Sequence, residues 1–428
     1  AAASDLSISS GTVGSETLNI TGTGTLLAGG AGSRTITNTS GPSLANGSNG
    51  GIGSNYTLTG GTHSLTINPL PLTITGTKVY DGDNEVHAAT TEAQIQNLIS
   101  GENVLFSGFA RSDSEDVGTN INVGTINTWA LADQTHAASN YTFSGGNLKI
   151  NITQREILLT GTKTYDGNTD AASSTITRMA AQGTFTAPGS GSNTSNFNTG
   201  LVSGGVTYFL PINVADSHSD RETLSISGTG TANSKDVSSA SILSSNGTLA
   251  LGNGSNGGLA SNYKITLSSG NHLYTVTQKP LGLSGSKVYD GTDVVLASEL
   301  PTVSGLIGSE TVVTGSQTTT AGSTATKKNV ANNVTITSNA SGITLANGSN
   351  GGLAANYTLT GGTHQVNITK APITIGLTRQ YDGTTNASSN ATDSNTTESY
   401  SGLVGSETLT LTGQGSVASK NVSGSSQS

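Results

Sequence analysis

Lys78-Val79-Tyr80-Asp81-Gly82 returns three more times along the chain, as Lys163-Thr164-Tyr165-Asp166-Gly167, Lys287-Val288-Tyr289-Asp290-Gly291 and Arg379-Gln380-Tyr381-Asp382-Gly383. The intervals between copies exceed the roughly 20–50 residues of a solenoid coil and suit small domains. Alternating apolar residues precede the cluster, Leu72 and Ile74, Ile157 and Leu159, Leu281 and Leu283. Another alternation closes each unit: Leu65 and Ile67; Leu148, Ile150 and Ile152; Tyr274 and Val276; Val366 and Ile368. A period of two marks half-buried strands.

Working outward from these signals, the chain divides into residues 1–69, the C-terminal part of a repeat; 70–154, a whole repeat; 155–279, a repeat with an insertion near 178–209; 280–370, a whole repeat; and 371–428, the N-terminal part of a repeat. Such a chain reads as a window on a longer polymer. The string Leu44 to Gly51 recurs almost unchanged as Leu345 to Gly352, and its Asn-Gly pairs predict hairpins. Residues 90–100 alone carry a spacing that suits a short helix, through Ala93, Ile95, Leu98 and Ile99. The links between repeats are short, and those at Pro69, Pro280 and Pro372 carry proline, which predicts stiff junctions.

Composition sharpens the fold class. Among 428 residues, 32% are apolar, 4% aromatic and 10% charged, with 58 glycines. Only thin cores can be built from this, so the expected architecture is all-β: a tandem array of small antiparallel β-sandwich modules forming a rod, with a β-solenoid as the alternative. The net charge of −9 and the 17 scattered Lys and Arg residues argue against nucleic acid as a partner. No cysteine is present, so neither disulfides nor thiolate metal sites can brace the domains. No apolar run approaches the roughly 20 residues that span a bilayer, so direct membrane insertion is not expected.

The repeated cluster has a structural reading and a chemical one. In the first, Asp caps a turn, Gly supplies positive φ and Tyr packs on the thin core; this covers Tyr80, Asp81, Gly82, Tyr165, Asp166, Gly167, Tyr289, Asp290, Gly291, Tyr381, Asp382 and Gly383. In the second, Asp81, Asp83 and Glu85, or Asp166 and Asp170, offer oxygens to calcium. The later copies lose carboxylates, which argues against a shared metal site. An isopeptide staple through Lys78, Lys163 and Lys287 meets Arg379 at the equivalent place, whose guanidinium cannot perform that chemistry. His63, His272 and His364 share one strand position and read as architecture. Glu16, Glu310 and Glu407 follow Gly-Ser at the head of a strand and read as solvated turn carboxylates. No catalytic triad, zinc-binding or phosphate-binding motif is present, so no enzymatic activity, resident cofactor or metal is expected.

The ordered set Lys-x-Tyr-Asp-Gly, Gly-Ser-Glu-Thr-Leu, Lys-Asn-Val and Asn-Tyr-Thr resembles the Tyr-Asp-Gly and related mostly-β repeat regions of large secreted bacterial adhesins, the filamentous-haemagglutinin-like exoproteins of two-partner secretion. Residues 220–224, Asp-Arg-Glu-Thr-Leu, depart from that pattern. The resemblance implies an extracellular stalk, fibre or biofilm-matrix segment whose partners are like modules of the same or neighbouring chains. The competing expectation is a carbohydrate-binding array in which Tyr56, Tyr141, Tyr263 and Tyr357 present an aromatic row to polysaccharide.

Overall fold

The computed structural model describes residues 1–38, 41–59, 62–181, 207–210, 222–238, 243–245, 247–255, 257–266, 272–316, 323–337, 340, 342–390, 392–422 and 424. The expected insertion lies, from 182 to 206, outside the described residues, as do Asp220 and Arg221. The chain is mostly β-strand in many small sheets, and the only helical elements among the described residues are single 3-10 turns. None is long and apolar enough to cross a membrane. The residues fall into two compact units, one made of Ala1–Leu159, Arg178–Gly228 and Thr248–Ser269, the other of Thr160–Thr177, Thr229–Gly247 and Gly270–Ser428.

In the first unit, the opening strand Leu70–Thr75 and its continuation Thr77–Val79 lie against the closing strand Tyr141–Thr153. Leu148 faces Ile74 and Ile152 faces Lys78, and the pairing is parallel. Gly118–Thr125 adds to the other edge of the closing strand in antiparallel register, followed by Phe109–Ser112 and Glu85–His87. A separate antiparallel ladder, Val104–Ser107 with Ala130–Asp133, contributes Phe106 to an aromatic cluster with Trp129 and Phe143. The core is thin, as the composition requires: Leu72, Ile74, Val86, Ala110, Ile150 and Ile152 are all but inaccessible.

The second unit repeats this plan. Gly282–Val288 pairs in parallel with His364–Thr369, from Leu283 opposite His364 to Val288 opposite Thr369. Thr302–Ser304 and Ala331–Thr335 flank that pair in antiparallel register. Val312–Ser316 with Ile343–Asn347 forms the separate ladder. Most pairings are antiparallel, as anticipated, but the ladder joining the first and last strands of a repeat is parallel. A parallel pair requires a crossover connection, and here the whole intervening repeat supplies it.

Two local expectations are overturned. Residues 90–100 form no helix; Gln94–Ile95 is a short strand with Ile95 opposite Ile74, because Ala93 and Ile95 alternate as a strand face does. The Asn-Gly strings form no hairpin. Asn49 and Gly50 do take positive φ, 57° and 86°, yet the chain leaves that turn into the 3-10 turn Gly53–Asn55, while Ser43–Asn46 pairs with Leu18–Thr21. Thr17 holds the loop instead: its Oγ1 accepts the Ser48 N–H at 2.8 Å, and a Cβ on Gly51 would stand 1.9 Å from the Thr17 carbonyl oxygen. The Thr311 loop is built the same way. So is the Thr223 loop, despite the departure at residues 220–221.

Candidate functional site

Lys78 follows Leu72 and Ile74 on the inward side of a strand, so its ammonium enters the core and must find oxygens there. Only 1% of Lys78 is exposed. Its Nζ donates to the Glu85 carbonyl at 2.6 Å, to the Asp83 carbonyl at 3.1 Å and to the Asp83 carboxylate, and it stands 2.9 Å from Asp81 Oδ1. The Tyr-Asp-Gly turn makes this cage. Gly82 supplies a φ of 84°, which only glycine adopts freely, and the chain wraps back over the ammonium.

The same cage recurs in the other copies. Lys163 Nζ donates to Asp166 Oδ1, Asn168 O and Asp170 O, each at 2.8 Å. Lys287 Nζ donates to Val294 O at 2.5 Å and Thr292 O at 3.3 Å, and pairs with Asp290 at 2.9 Å. Arg379 reaches Asp382 and, at 2.7 Å, Thr384 O. Of the residues read as calcium ligands, Asp81, Asp83 and Asp166 turn their carboxylates onto the lysine of their own turn, Glu85 and Asp170 give it their carbonyls, and the Glu85 carboxylate pairs with Arg111.

Electrostatics differ between copies. Burial disfavours the Lys78 ammonium, but Asp81 and Asp83 outweigh it and raise its pKa. Burial also lifts the Asp81 carboxyl to about 7, against the pull of Lys78 and with help from the charge on Asp83. Asp290 goes the other way: desolvation pushes its carboxyl up, but the hydrogen bonds from Lys287 and Thr292 together with the Lys287 charge outweigh it and hold it below the ordinary carboxylate range.

The tyrosine of the cluster points to the next repeat. Tyr165 is fully buried and its hydroxyl donates to Glu310 Oε1 at 2.7 Å; Tyr357 donates to the other oxygen of the same carboxylate at 2.5 Å. The two rings meet edge to face, with centroids 5.4 Å apart. In the first unit, Tyr80 meets Tyr263 in the same way at 5.3 Å. Burial and the shared carboxylate push Tyr165 well above the ordinary phenol range and Tyr357 up to about 12. Tyr289 donates to Glu407. Tyr381 is 63% exposed.

The asparagine before the Asn-Tyr tyrosine completes the joint. Each ends a 3-10 turn, Ala138–Asn140, Ala260–Asn262 or Ala354–Asn356. Asn262 Oδ1 accepts the Val117 N–H at 3.1 Å and its Nδ2 donates to Asp116 at 2.8 Å. Asn356 does the same to Val237, at 2.9 Å, and to Asp236, at 2.8 Å. Asn140 accepts the Ala31 N–H at 2.8 Å. Every one of these contacts runs from one repeat to the one before it.

Residues 66–148 and 275–365 match the YDG domain. The segments that match this β-rich domain contain the Lys78 and Lys287 cages and end inside the closing strands Tyr141–Thr153 and His364–Thr369. No curated protein and no solved structure matches the chain.

Within and around the matched segments, several readings of the sequence need correction. Tyr141, Tyr263 and Tyr357 are buried, and the Tyr56 hydroxyl is tied to Glu16, so these rings form no exposed row for a sugar to stack on. Glu310 is buried beneath two tyrosines and is not a solvated turn carboxylate; Glu102 plays the same part for Tyr141 at 2.6 Å. The joint itself was missed. Its signals were present in the fixed place of Glu after Gly-Ser, the recurrence of Lys-Asn-Val, and Asn-Tyr at the end of each unit. The histidines do serve the fold: His364 Nε2 donates to the Leu359 carbonyl at 2.7 Å, and His63 makes the same bond to Leu58.

Proposed function

We propose that the chain is a non-catalytic spacer segment of a large secreted bacterial adhesin or biofilm-matrix protein, its repeats held at fixed angles so that the array forms a stiff rod of sandwich-like modules. The observation that carries this reading is the Tyr165–Glu310–Tyr357 joint, in which one buried carboxylate serves tyrosines from two successive repeats. A flexible tether would carry polar, solvated links. Here the links carry desolvated hydrogen bonds and edge-to-face rings, which resist bending. A cation held in each opening turn does in this cysteine-free chain what a disulfide or metal does in other small extracellular domains. The working partners are like modules in the same or neighbouring chains, outside the cell.

Small-angle X-ray scattering tests the proposal. The intact chain should scatter as an extended, stiff particle, and Glu310→Ala should broaden its distance distribution. A compact particle, or a profile that Glu310→Ala leaves unchanged, sinks the spacer reading.

A further inference from the structure

Besides its parallel pair, each of three successive repeats holds a separate antiparallel ladder, and one position aligns the three. Val104 faces Asp133, Leu224 faces Asn253 and Val312 faces Asn347. In every case the side-chain oxygen of the second residue accepts an N–H at the following 3-10 turn, from Ala138, Ala260 or Ala354. Val104–Ser107, Glu222–Ser227 and Val312–Ser316 are therefore the same strand of the repeat. Its outer edge differs between copies. In the repeat at 155–279 a third strand, Thr207–Leu210, covers that edge in antiparallel register, with Tyr208 opposite Leu224 and Thr207 opposite Ser225. Among the described residues, the ladders of Val104–Ser107 and Val312–Ser316 have two strands only. One residue tracks the difference. Where the edge is covered, the position after Leu224 holds the polar Ser225; where it is bare, the same position holds Leu105 and Val313, which are 53% and 55% exposed. Neither bare strand carries a charge or a proline, the usual guards of an exposed edge.

We infer that Val312–Ser316 pairs edge to edge, in antiparallel register, with the same strand of a second copy. What fits this edge is shown by the repeat at 155–279, where an uncharged strand of the chain itself, Thr-Tyr-Phe-Leu, runs antiparallel along it. Val312–Ser316 is another such strand, uncharged over five residues. Two copies of it meet about a two-fold axis, so each supplies the backbone groups that the other lacks. Those hydrogen bonds give the affinity of strand addition, and Val313 of each copy is drawn out of water beside the other strand. Val104–Ser107 offers a shorter edge of the same kind. The inference goes beyond a spacer role and stands whether or not the chain has one.

Sedimentation of the full chain over a range of concentrations, with hydrogen exchange, tests it. Mass should rise with concentration from one copy to two or more. Leu105→Lys with Val313→Lys changes only exposed side chains and sets like charges against each other, so it should weaken association about tenfold or more. Leu105→Thr with Val313→Thr, without charge, should still associate. As concentration rises, the amides of Val312–Ser316 that do not bond to Ile343–Asn347 should exchange more slowly, while the outer amides of Ile343–Asn347 should not change. Three results would overturn the inference: a single-copy mass at every concentration, a lysine double variant that associates as the parent does, or protection that grows at Ile343–Asn347 and not at Val312–Ser316.

Discussion

The Lys78 and Lys287 cages share a backbone and differ in charge. Both ammonium groups are about 1% exposed at the side chain, and both donate to the carbonyls five and seven residues ahead. Around Lys78 stand two carboxylates, Asp81 and Asp83, each about 15% exposed; around Lys287 stand Asp290, half in water, and the Thr292 hydroxyl. The difference teaches that the carbonyls and the cation are the constant part of the design. The carboxylates are its variable part, so counting them along the sequence measured the wrong quantity.

The largest contrast should come from removing the cation. Lys78→Met leaves two carboxylates buried without their partner, and breaking such a site costs about 3–5 kcal/mol. Lys287→Met leaves Asp290 half hydrated and should cost about 1–2 kcal/mol, the scale of lost hydrogen bonds. Hydrogen exchange resolved by repeat can read both, since a chain of several units need not unfold in one step. Equal losses at the two sites would remove the distinction drawn between them.

Next in size is the joint. Glu310→Ala strands the hydroxyls of Tyr165 and Tyr357, at about 1–3 kcal/mol for each buried donor left unsatisfied. The loss should appear as faster exchange in the strands bearing both tyrosines. Confinement to residues near 310 would show that the joint carries no load.

The cages should also respond to pH with opposite sign. Asp81 has a folded pKa raised to about 7, so its contribution is fully present below the ordinary carboxylate range and is lost as pH rises toward 7. Asp290 has a lowered pKa; its contribution is present above the ordinary range and is lost as pH falls through the folded value. Between pH 5 and pH 8 the repeat at 70–154 should therefore lose protection while the repeat at 280–370 holds. Asp81→Asn should flatten the first response, and a slope that survives it would assign the effect elsewhere. The smallest change expected is Asp83→Thr, which gives the Lys78 cage the side chain of the Lys287 cage. It should shift stability by less than about 1 kcal/mol, as volume-tolerant changes at a hydrogen-bonded position do, and a larger loss would make the second carboxylate essential.

Much of this was legible. The alternation through Leu72, Ile74, Lys78 and Tyr80 puts lysine and tyrosine on the buried side of the strand, and the all-β character follows from the same period. What could not be read was where buried polar groups find partners. Glu310 lies far along the chain from Tyr165, and Asn262 equally far from Asp116; no local propensity encodes a contact made only when repeats pack. The misread Asn-Gly loops have a similar cause, since Thr17 claims the backbone that a hairpin would have used. Tyr381 carries the same motif as Tyr165 yet stays in water, so burial of that tyrosine depends on a neighbour and not on its own turn.

The Tyr-Asp-Gly tyrosine Tyr165 links its repeat to the next through the carboxylate it shares with Tyr357. A double-mutant cycle on Tyr165→Phe and Tyr357→Phe measures that link directly, through the stability of the strands bearing the two tyrosines. The two changes should couple by about 0.5–2 kcal/mol, as residues in one network do. Additivity within about 0.3–0.5 kcal/mol would mean that the two tyrosines act apart, and would contradict the joint.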